Sequence, residues 1–156
     1  MINVNYDISK IIIRSMELDD LEEVLNIEKK SFSNPWTYNI FYYELIQNRY
    51  AKYFVLEKNK EIIGYLGLWL RGRSFHITNI AIKERWRNRG YGGILLRFIE
   101  KMATKHKVEK ISLEVRRSNL IAQNMYRKCG YKLIKIRKNY YQAEKEDALV
   151  MEKKLN

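Results

Sequence analysis

One cysteine and one proline occur among the 156 residues. The lone thiol, Cys129, excludes an intrachain disulfide framework and a cysteine-rich zinc site. Pro35 is the only proline, and no Ser/Gly/Pro-rich linker, internal repeat or low-complexity tract divides the sequence. A single domain over residues 1–156 is therefore expected. Long apolar runs are scarce as well. The longest, Ile62 to Leu70, is interrupted by Gly64 and Gly67 and falls well short of the ~20 residues a membrane-crossing helix needs. The first residues, Met1-Ile2-Asn3-Val4-Asn5, lack the basic-then-apolar order of a secretory signal. A soluble, reducing, cytoplasmic setting is the expectation. Acidic residues are the minority charge: 18 Asp and Glu against 30 Lys and Arg leave a net +12. Such an excess points to an anionic partner without choosing among nucleic acid, ribosome surface, acidic lipid or a phosphate-rich cofactor. The remainder is ordinary globular composition, 46% hydrophobic and 31% charged, enough to bury a core.

Ile11-Ile12-Ile13-Arg14 is a β-branched run that reads as a first strand. Glu17, Asp19 and Asp20 then place negative charge where a helix begins, and Leu18, Leu21, Val24, Leu25 and Phe32 follow at helical spacing. Asn34-Pro35 breaks that pattern before a second, aromatic helix from Thr37 to Gln47. Tyr53 to Glu57 predicts a strand, Asn59-Lys60 a turn, and Ile62 to Leu70 a central strand apolar on both alternations. Arg71-Gly72-Arg73 turns the chain into a further strand, Phe75 to Ile82. Tyr91, Ile94, Leu95, Phe98, Ile99 and Met102 recur as one face of an amphipathic helix. Ile111, Leu113 and Val115 alternate with Ser112 and Glu114 as a half-buried strand. Ser118-Asn119 caps a last helix and Cys129-Gly130 ends it. Two strands finish the chain, at about Lys132–Arg137 and Ala148–Lys153. The order of elements predicts an α/β (α+β) protein built on a mixed sheet covered on both faces.

The segment between Ile80-Ala81-Ile82 and the amphipathic helix carries the sharpest signal. Arg87-Asn88-Arg89-Gly90-Tyr91-Gly92-Gly93 leads from a strand end directly into a helix start. Glycines let a backbone approach a ligand closely, and free N–H groups with the helix dipole attract an anion. Lys83, Arg85, Arg87 and Arg89 add positive charge. The spacing matches neither the Walker loop nor the dinucleotide fingerprint, and a glycine-rich turn with solvated arginines would look the same.

Strand, Arg87-x-x-Gly90-x-Gly92 and helix, taken together, resemble the acetyl-coenzyme A signature of the GNAT N-acetyltransferases. Further blocks are similar to the RimI and archaeal amino-terminal acetyltransferase branch of that family, in the same order. They are Asn34-Pro35-Trp36, Ser112-Leu113-Glu114-Val115-Arg116-x-Ser118-Asn119, Asn124-Met125-Tyr126-x-x-x-Gly130-Tyr131, Asn139-Tyr140-Tyr141 and Glu146-Asp147-Ala148. The resemblance implies a mostly antiparallel sheet of about seven strands flanked by about four helices. It also implies transfer of acetyl from acetyl-coenzyme A to a protein's α-amino group, by direct attack through a tetrahedral intermediate, and it implies no metal. Loop residues Arg87, Asn88, Arg89, Gly90, Tyr91, Gly92 and Gly93 would hold the coenzyme's pyrophosphate. The backbone of Ile80, Ala81 and Ile82 would pair with its pantetheine arm and support the oxyanion, and Asn119 and Tyr126 would also touch it. Asn34, Pro35 and Trp36 on one side, and Tyr140 and Tyr141 in the loop between the last two strands, would clamp the first residues of a peptide. The Leu-Pro-Glu-Asn-Tyr element of eukaryotic and many archaeal relatives is replaced by Asn34-Pro35-Trp36-Thr37, so the preferred first residue stays open.

Chemically, an α-amine with pKa ~7.7–8.0 is roughly 10–20% neutral at pH 7, whereas a lysine side chain is neutral in only about four parts in ten thousand. A modest base therefore suffices, directly or through a water. Glu114 is the candidate base, on the branch's Leu-Glu-Val match, although pattern alone favours a solvent-facing strand carboxylate. Tyr126 is the candidate acid for the departing sulfur, although Ile121, Ala122, Met125 and Cys129 around it would suit a core aromatic. His76, in a strand similar to that of α-amino acetyltransferases, would form a water-linked base pair with Glu114, although a lone strand histidine is more often structural. The expected partner is a protein amino terminus, with ribosome association as a further expectation. Two rivals stand beside this. One is a GNAT enzyme for lysine side chains or a small amine. The other is a basic RNA- or ribosome-binding module built from Lys132, Lys135, Arg137 and Lys138 with Tyr131, Tyr140 and Tyr141.

Overall fold

A computed structural model describes residues 10–155; Met1–Asn5, where the sequence shows no secretory pattern, lie outside them. In chain order the elements are β1 (Ile11–Ser15), α1 (Leu21–Ser31), α2 (Tyr38–Ile46), β2 (Ala51–Lys58), β3 (Glu61–Arg71), β4 (Ser74–Ile82), α3 (Tyr91–Lys105), β5 (Lys110–Arg116), α4 (Leu120–Lys128), β6 (Lys132–Tyr141) and β7 (Glu146–Lys154). The strands make one seven-stranded sheet in the order β1-β2-β3-β4-β5-β7-β6. β1–β2, β5–β7 and β6–β7 are antiparallel, and β4–β5 is parallel. No helix among the described residues is long and apolar enough to cross a membrane.

The chain clusters into two compact units, one of residues 10–68 and 79–95, the other of residues 69–78 and 96–155. In the first, α1 begins after a 3-10 turn, Leu18–Asp20. The acidic residues there do more than complement a helix dipole. Asp20 accepts the Glu17 N–H at 2.7 Å and both terminal nitrogens of Arg14 at 2.8 Å. Arg14 in turn reaches Glu57 on the neighbouring strand at 2.7 Å. Leu21, Val24 and Ile27 of α1 meet Phe41 of α2 and Tyr53, Val55, Ile62, Tyr65 and Ala81 of the strands in one apolar cluster. Thr37 caps α2 by accepting the Ile40 N–H. Asn59 and Lys60 take φ +51 and +67 at the β2–β3 turn, the left-handed pair that a two-residue hairpin requires. At Gly67 of β3 an added Cβ would lie 2.0 Å from the Tyr53 ring, so glycine there admits the ring.

In the second unit Asn119 caps α4, its side-chain oxygen accepting the Ala122 N–H at 3.1 Å, and Gly130 closes the helix at φ +94. Cys129 is half-buried at this C-cap, its carbonyl accepting from Lys153 Nζ at 2.7 Å. Three sequence expectations need correction. The buried stripe of α3 runs through Leu95, Leu96, Ile99 and Ala103, rotated from the expected face because Ala103 and Leu96 bury more completely than Ile94, Phe98 and Met102. The last two strands are longer than expected. Tyr140 and Tyr141 consequently belong to the end of β6 and not to a loop.

Candidate active site

Two side chains of the second unit meet where β4 and β5 run parallel. The register sets His76 opposite Ser112, and alternation puts Ser112 and Glu114 on one side of β5. His76 Nε2 lies 2.8 Å from Glu114 Oε2, and His76 Nδ1 lies 3.1 Å from Ser112 Oγ. The imidazole is thus held at both nitrogens and lies against the Trp69 ring, centroids 6.4 Å apart. The contact between His76 and Glu114 is direct, where the sequence reading expected a bridging water. Only 12% of the Glu114 side chain is exposed, so it is not the solvent-facing carboxylate that its pattern also allowed. Burial pushes its carboxyl up, but the His76 hydrogen bond and the charges of His76, Arg137 and Arg71 outweigh burial and leave it below the ordinary glutamate value. Arg137 approaches the second oxygen at 3.6 Å. The group is a carboxylate at neutral pH, with one oxygen on the imidazole and one facing an arginine.

Tyr126 sits on the buried face of α4, 6% exposed, its ring edge-on to Tyr131 at 5.9 Å. Burial above all, then the neighbouring Tyr141 and Cys129, pushes its phenol well above the ordinary range. It is fully protonated at any physiological pH, as a proton donor must be. Tyr140 is about half exposed and Tyr141 half-buried. Their rings meet edge to face at 5.1 Å, and the Arg116 guanidinium lies 3.9 Å from the Tyr141 ring centroid. Burial, opposed by Arg116 and aided by Tyr140, Glu114 and Glu146, pushes the Tyr141 phenol up to about 12.

In the first unit, the segment from Arg87 into α3 has the backbone its composition suggests. Asn88 and Gly90 take φ +62 and +87, and a Cβ on Gly90 would meet nothing within 4 Å. Conformation, not crowding, therefore calls for this glycine. The helix ladder opens with Ile94 N–H to Gly90 O at 3.2 Å, so the first amides of α3 precede any intrahelical acceptor. The basic residues are less free than sequence suggests. Arg85 is closely paired with Glu61, and Lys83 pairs with the same carboxylate at 3.4 Å. The Arg87 guanidinium donates to Ile82 O at 2.8 Å and to Ser31 Oγ at 3.0 Å. Arg89 lies 5.1 Å over the Trp86 ring. Charge near the loop is thus partly neutralised, and the amides carry more of its anion-binding capacity.

Trp36 packs against the apolar cluster of the first unit. It is half-buried, edge-on to Phe41 at 5.4 Å, and its N–H donates to Glu28 Oε2 at 2.9 Å. Asn34 is exposed and Pro35 half-buried. Glu28 is the residue that sequence reasoning missed. It is 2% exposed, accepts a short hydrogen bond from the Tyr65 hydroxyl, and has Asn79 Nδ2 at 3.5 Å. Its one signal was a carboxylate seven positions after Leu21, on the apolar stripe of α1. The proposed RNA surface is corrected as well. Tyr131 is 2% exposed, and Arg137 and Lys138 face Glu114 and Asp147 at 3.6 and 3.7 Å. One of its three aromatics therefore lies in the core, and two of its four cations already face carboxylates.

Comparison with known proteins identifies the family. A family model described as the acetyltransferase (GNAT) family matches residues 21–131. A putative ribosomal protein bS18-alanine N-acetyltransferase of Bacillus subtilis is 43% identical over 143 residues, which are 92% of this chain and 95% of that protein. An N-alpha-acetyltransferase of Sulfurisphaera tokodaii is 32% identical, over 89% of this chain and 90% of its own. Among solved structures, the ribosomal-protein-S18-alanine N-acetyltransferase from Escherichia coli superposes with a TM-score of 0.85 at 28% identity, covering 94% of each chain. The chain belongs to the GNAT family of N-acetyltransferases, enzymes that take their acetyl group from acetyl-coenzyme A.

Proposed function

We propose that the protein acetylates the α-amino group at the amino terminus of a protein, an alanine-starting ribosomal protein or nascent chains being the natural candidates. The observation that carries this reading is the Glu114–His76 pair, a carboxylate in direct contact with an imidazole at the edge of which Tyr140 stands about half exposed. Relatives whose names specify ribosomal protein bS18 alanine and N-alpha substrates support it. Action beside ribosomes, in the cytoplasm, is part of the reading, and a net charge of +12 suits an RNA-rich setting.

Acetyl-coenzyme A supplies a thioester reactive toward amines and a thiolate leaving group. The residues present fit it: the free amides at the start of α3, with Asn88 and Gly90 in left-handed backbone, suit a pyrophosphate. Arg87, Asn88, Arg89, Gly90, Tyr91, Gly92 and Gly93 are assigned to that group, the Ile80–Ile82 backbone to the pantetheine arm, and Asn119 and Tyr126 to further contacts. In this reading Glu114 takes a proton from the ammonium form of the substrate, directly or through a water. His76 holds the carboxylate in place by donating from Nε2, and the Ser112 hydroxyl, donating to Nδ1, fixes the ring and its tautomer. Because the Glu114 carboxyl lies below its ordinary value, it is a weak base, which an α-amine tolerates and a lysine does not. Tyr126 gives its phenolic proton to the departing sulfur. Asn34, Pro35 and Trp36, together with Tyr140 and Tyr141, are assigned to the peptide.

The test is acetyl transfer from labelled acetyl-coenzyme A to peptides beginning Ala, Ser, Met-Leu or Glu, beside an amino-blocked, lysine-containing control. Turnover on free termini, abolished by blocking and cut by at least about tenfold in Glu114→Gln or Tyr126→Phe, is the expected result. Transfer to the blocked lysine peptide would move the enzyme to the side-chain branch.

A further inference from the structure

Tyr140 and Tyr141 are neighbours in a strand, yet their rings touch at 5.1 Å, which residues pointing to alternate sides do not do. The reason is a break in register. Arg137 stands opposite Ala148 and Tyr141 opposite Glu146, so Lys138, Asn139 and Tyr140 together face only Asp147. The surplus backbone is taken up at Asn139, which stands at φ +50, a conformation that side chains other than those of Asn and Asp resist. Asp147 holds it there: one carboxylate oxygen accepts the Asn139 N–H at 2.9 Å. The other oxygen faces Arg117 at 3.3 Å and Lys138 at 3.7 Å. The preceding residue grips the second tyrosine by another route. Glu146 accepts the Ser118 N–H at 2.7 Å and pairs with Arg116 at 3.3 Å, and Arg116 lies over the Tyr141 ring. Bulges of this kind re-aim side chains beside functional sites.

We propose that Asp147 is a positioning residue for the peptide substrate: by fixing Asn139 in left-handed backbone it re-aims Tyr140 and brings it edge to face with Tyr141, as one binding pair. This rests on the reading of Tyr140 and Tyr141 as substrate contacts. Asp147 itself touches no reacting atom. Its loss therefore weakens binding of the peptide and leaves the proton transfers at Glu114 and Tyr126 in place.

Steady-state transfer to an alanine-starting peptide decides it, with the KM for peptide, the KM for acetyl-coenzyme A and kcat measured separately. For Asp147→Ala the peptide KM is expected to rise by about tenfold, with kcat and the coenzyme KM changing less than about twofold, the signature of a misplaced binding element. Asp147→Asn keeps an oxygen for the Asn139 N–H and recovers most of the loss. Asn139→Gly placed in the Asp147→Ala background recovers part of it, because glycine takes positive φ unaided. A wild-type peptide KM in Asp147→Ala overturns the proposal, as does a fall in kcat with both KM values rising together, or an Asn variant no better than Ala. If the wild-type enzyme acetylates no peptide terminus but does acetylate another amine, the functional reading fails, and this proposal with it. An active wild type with an indifferent Asp147→Ala sinks the proposal alone.

Discussion

Glu114 and Glu28 show how differently two half- or fully buried carboxylates are kept. Glu114 shares its oxygens between His76 and Arg137, so its charge is compensated by groups that can themselves be removed. In His76→Ala the strongest of these is lost while burial remains, and the Glu114 carboxyl rises toward or past its ordinary ~4.3. The sign follows from the wild-type depression: activity that needs the carboxylate persists down to the lowered value, so its acid limb lies below the ordinary glutamate range. Removing His76 should move the acid limb of the kcat–pH profile upward. An unmoved limb would mean that Glu114 is not the group titrating in it. Glu28, by contrast, is held by Tyr65, Asn79 and the Trp36 N–H inside the first unit. Glu28→Ala would strand the Tyr65 phenol and the Trp36 backbone N–H away from water, each worth ~1–3 kcal/mol. A loss of several kcal/mol in denaturant unfolding is expected, larger than for Glu114→Gln.

Elements are held by contacts of very different range. The start of α1 is tied to β1 and β2 through the Arg14–Asp20–Glu57 group, and Asp20 titrates below its ordinary value chiefly through the Arg14 hydrogen bond, which overcomes burial. A depressed carboxylate contributes stability in full above its unfolded pKa and loses it as pH falls through the folded one. Asp20→Asn should therefore cost about 1–3 kcal/mol at pH 7, and the gap to wild type should narrow steadily below about pH 4. Urea titrations of both proteins at pH 7 and pH 3 check this. Two glycines give opposite tests of what an element needs. Gly67→Ala forces a methyl group against the Tyr53 ring and Asn79 and should destabilise the protein by about 1–3 kcal/mol through overpacking. Gly90→Ala meets open space, so only the left-handed backbone resists it. Its expected effect is about 1 kcal/mol on stability and a raised KM for acetyl-coenzyme A.

At the scale of the whole molecule the dominant quantity is the net charge of +12. Even the acidic residues that are present each answer to two cations, Glu61 to Lys83 and Arg85 and Asp147 to Arg117 and Lys138. The excess creates a long-range field that draws in anions and is screened over about 8 Å at physiological salt. The KM for acetyl-coenzyme A should accordingly rise as sodium chloride is raised from 0.05 to about 0.5 M, with kcat little changed. A salt-independent KM would assign coenzyme binding to the amides of the α3 start alone.

Much of this molecule is legible from sequence. Periods of 3.6 and 2 in apolar residues located the helices and β1 to β5. Gly90, Gly130 and Asn59-Lys60 marked backbone turns that only certain residues make, and Asn119 announced its own cap. The blocks around Arg87, Glu114 and Tyr126 named the family. These features are local: each depends on residues within a turn or two of one another, so the chain order alone exposes them. What the tertiary structure decided is everything that depends on which strand lies beside which. His76 and Glu114 are 38 positions apart in the numbering and meet only because β4 pairs with β5 in one register. Glu28 finds Tyr65 across 37 positions. The end of β6 was misread as a loop because its strand is interrupted by a bulge, which is stabilised by Asp147 on β7 and leaves no periodic trace in the sequence. Charge partners, buried polar networks and strand irregularities are set by long-range pairing, whose energy no short window of sequence contains.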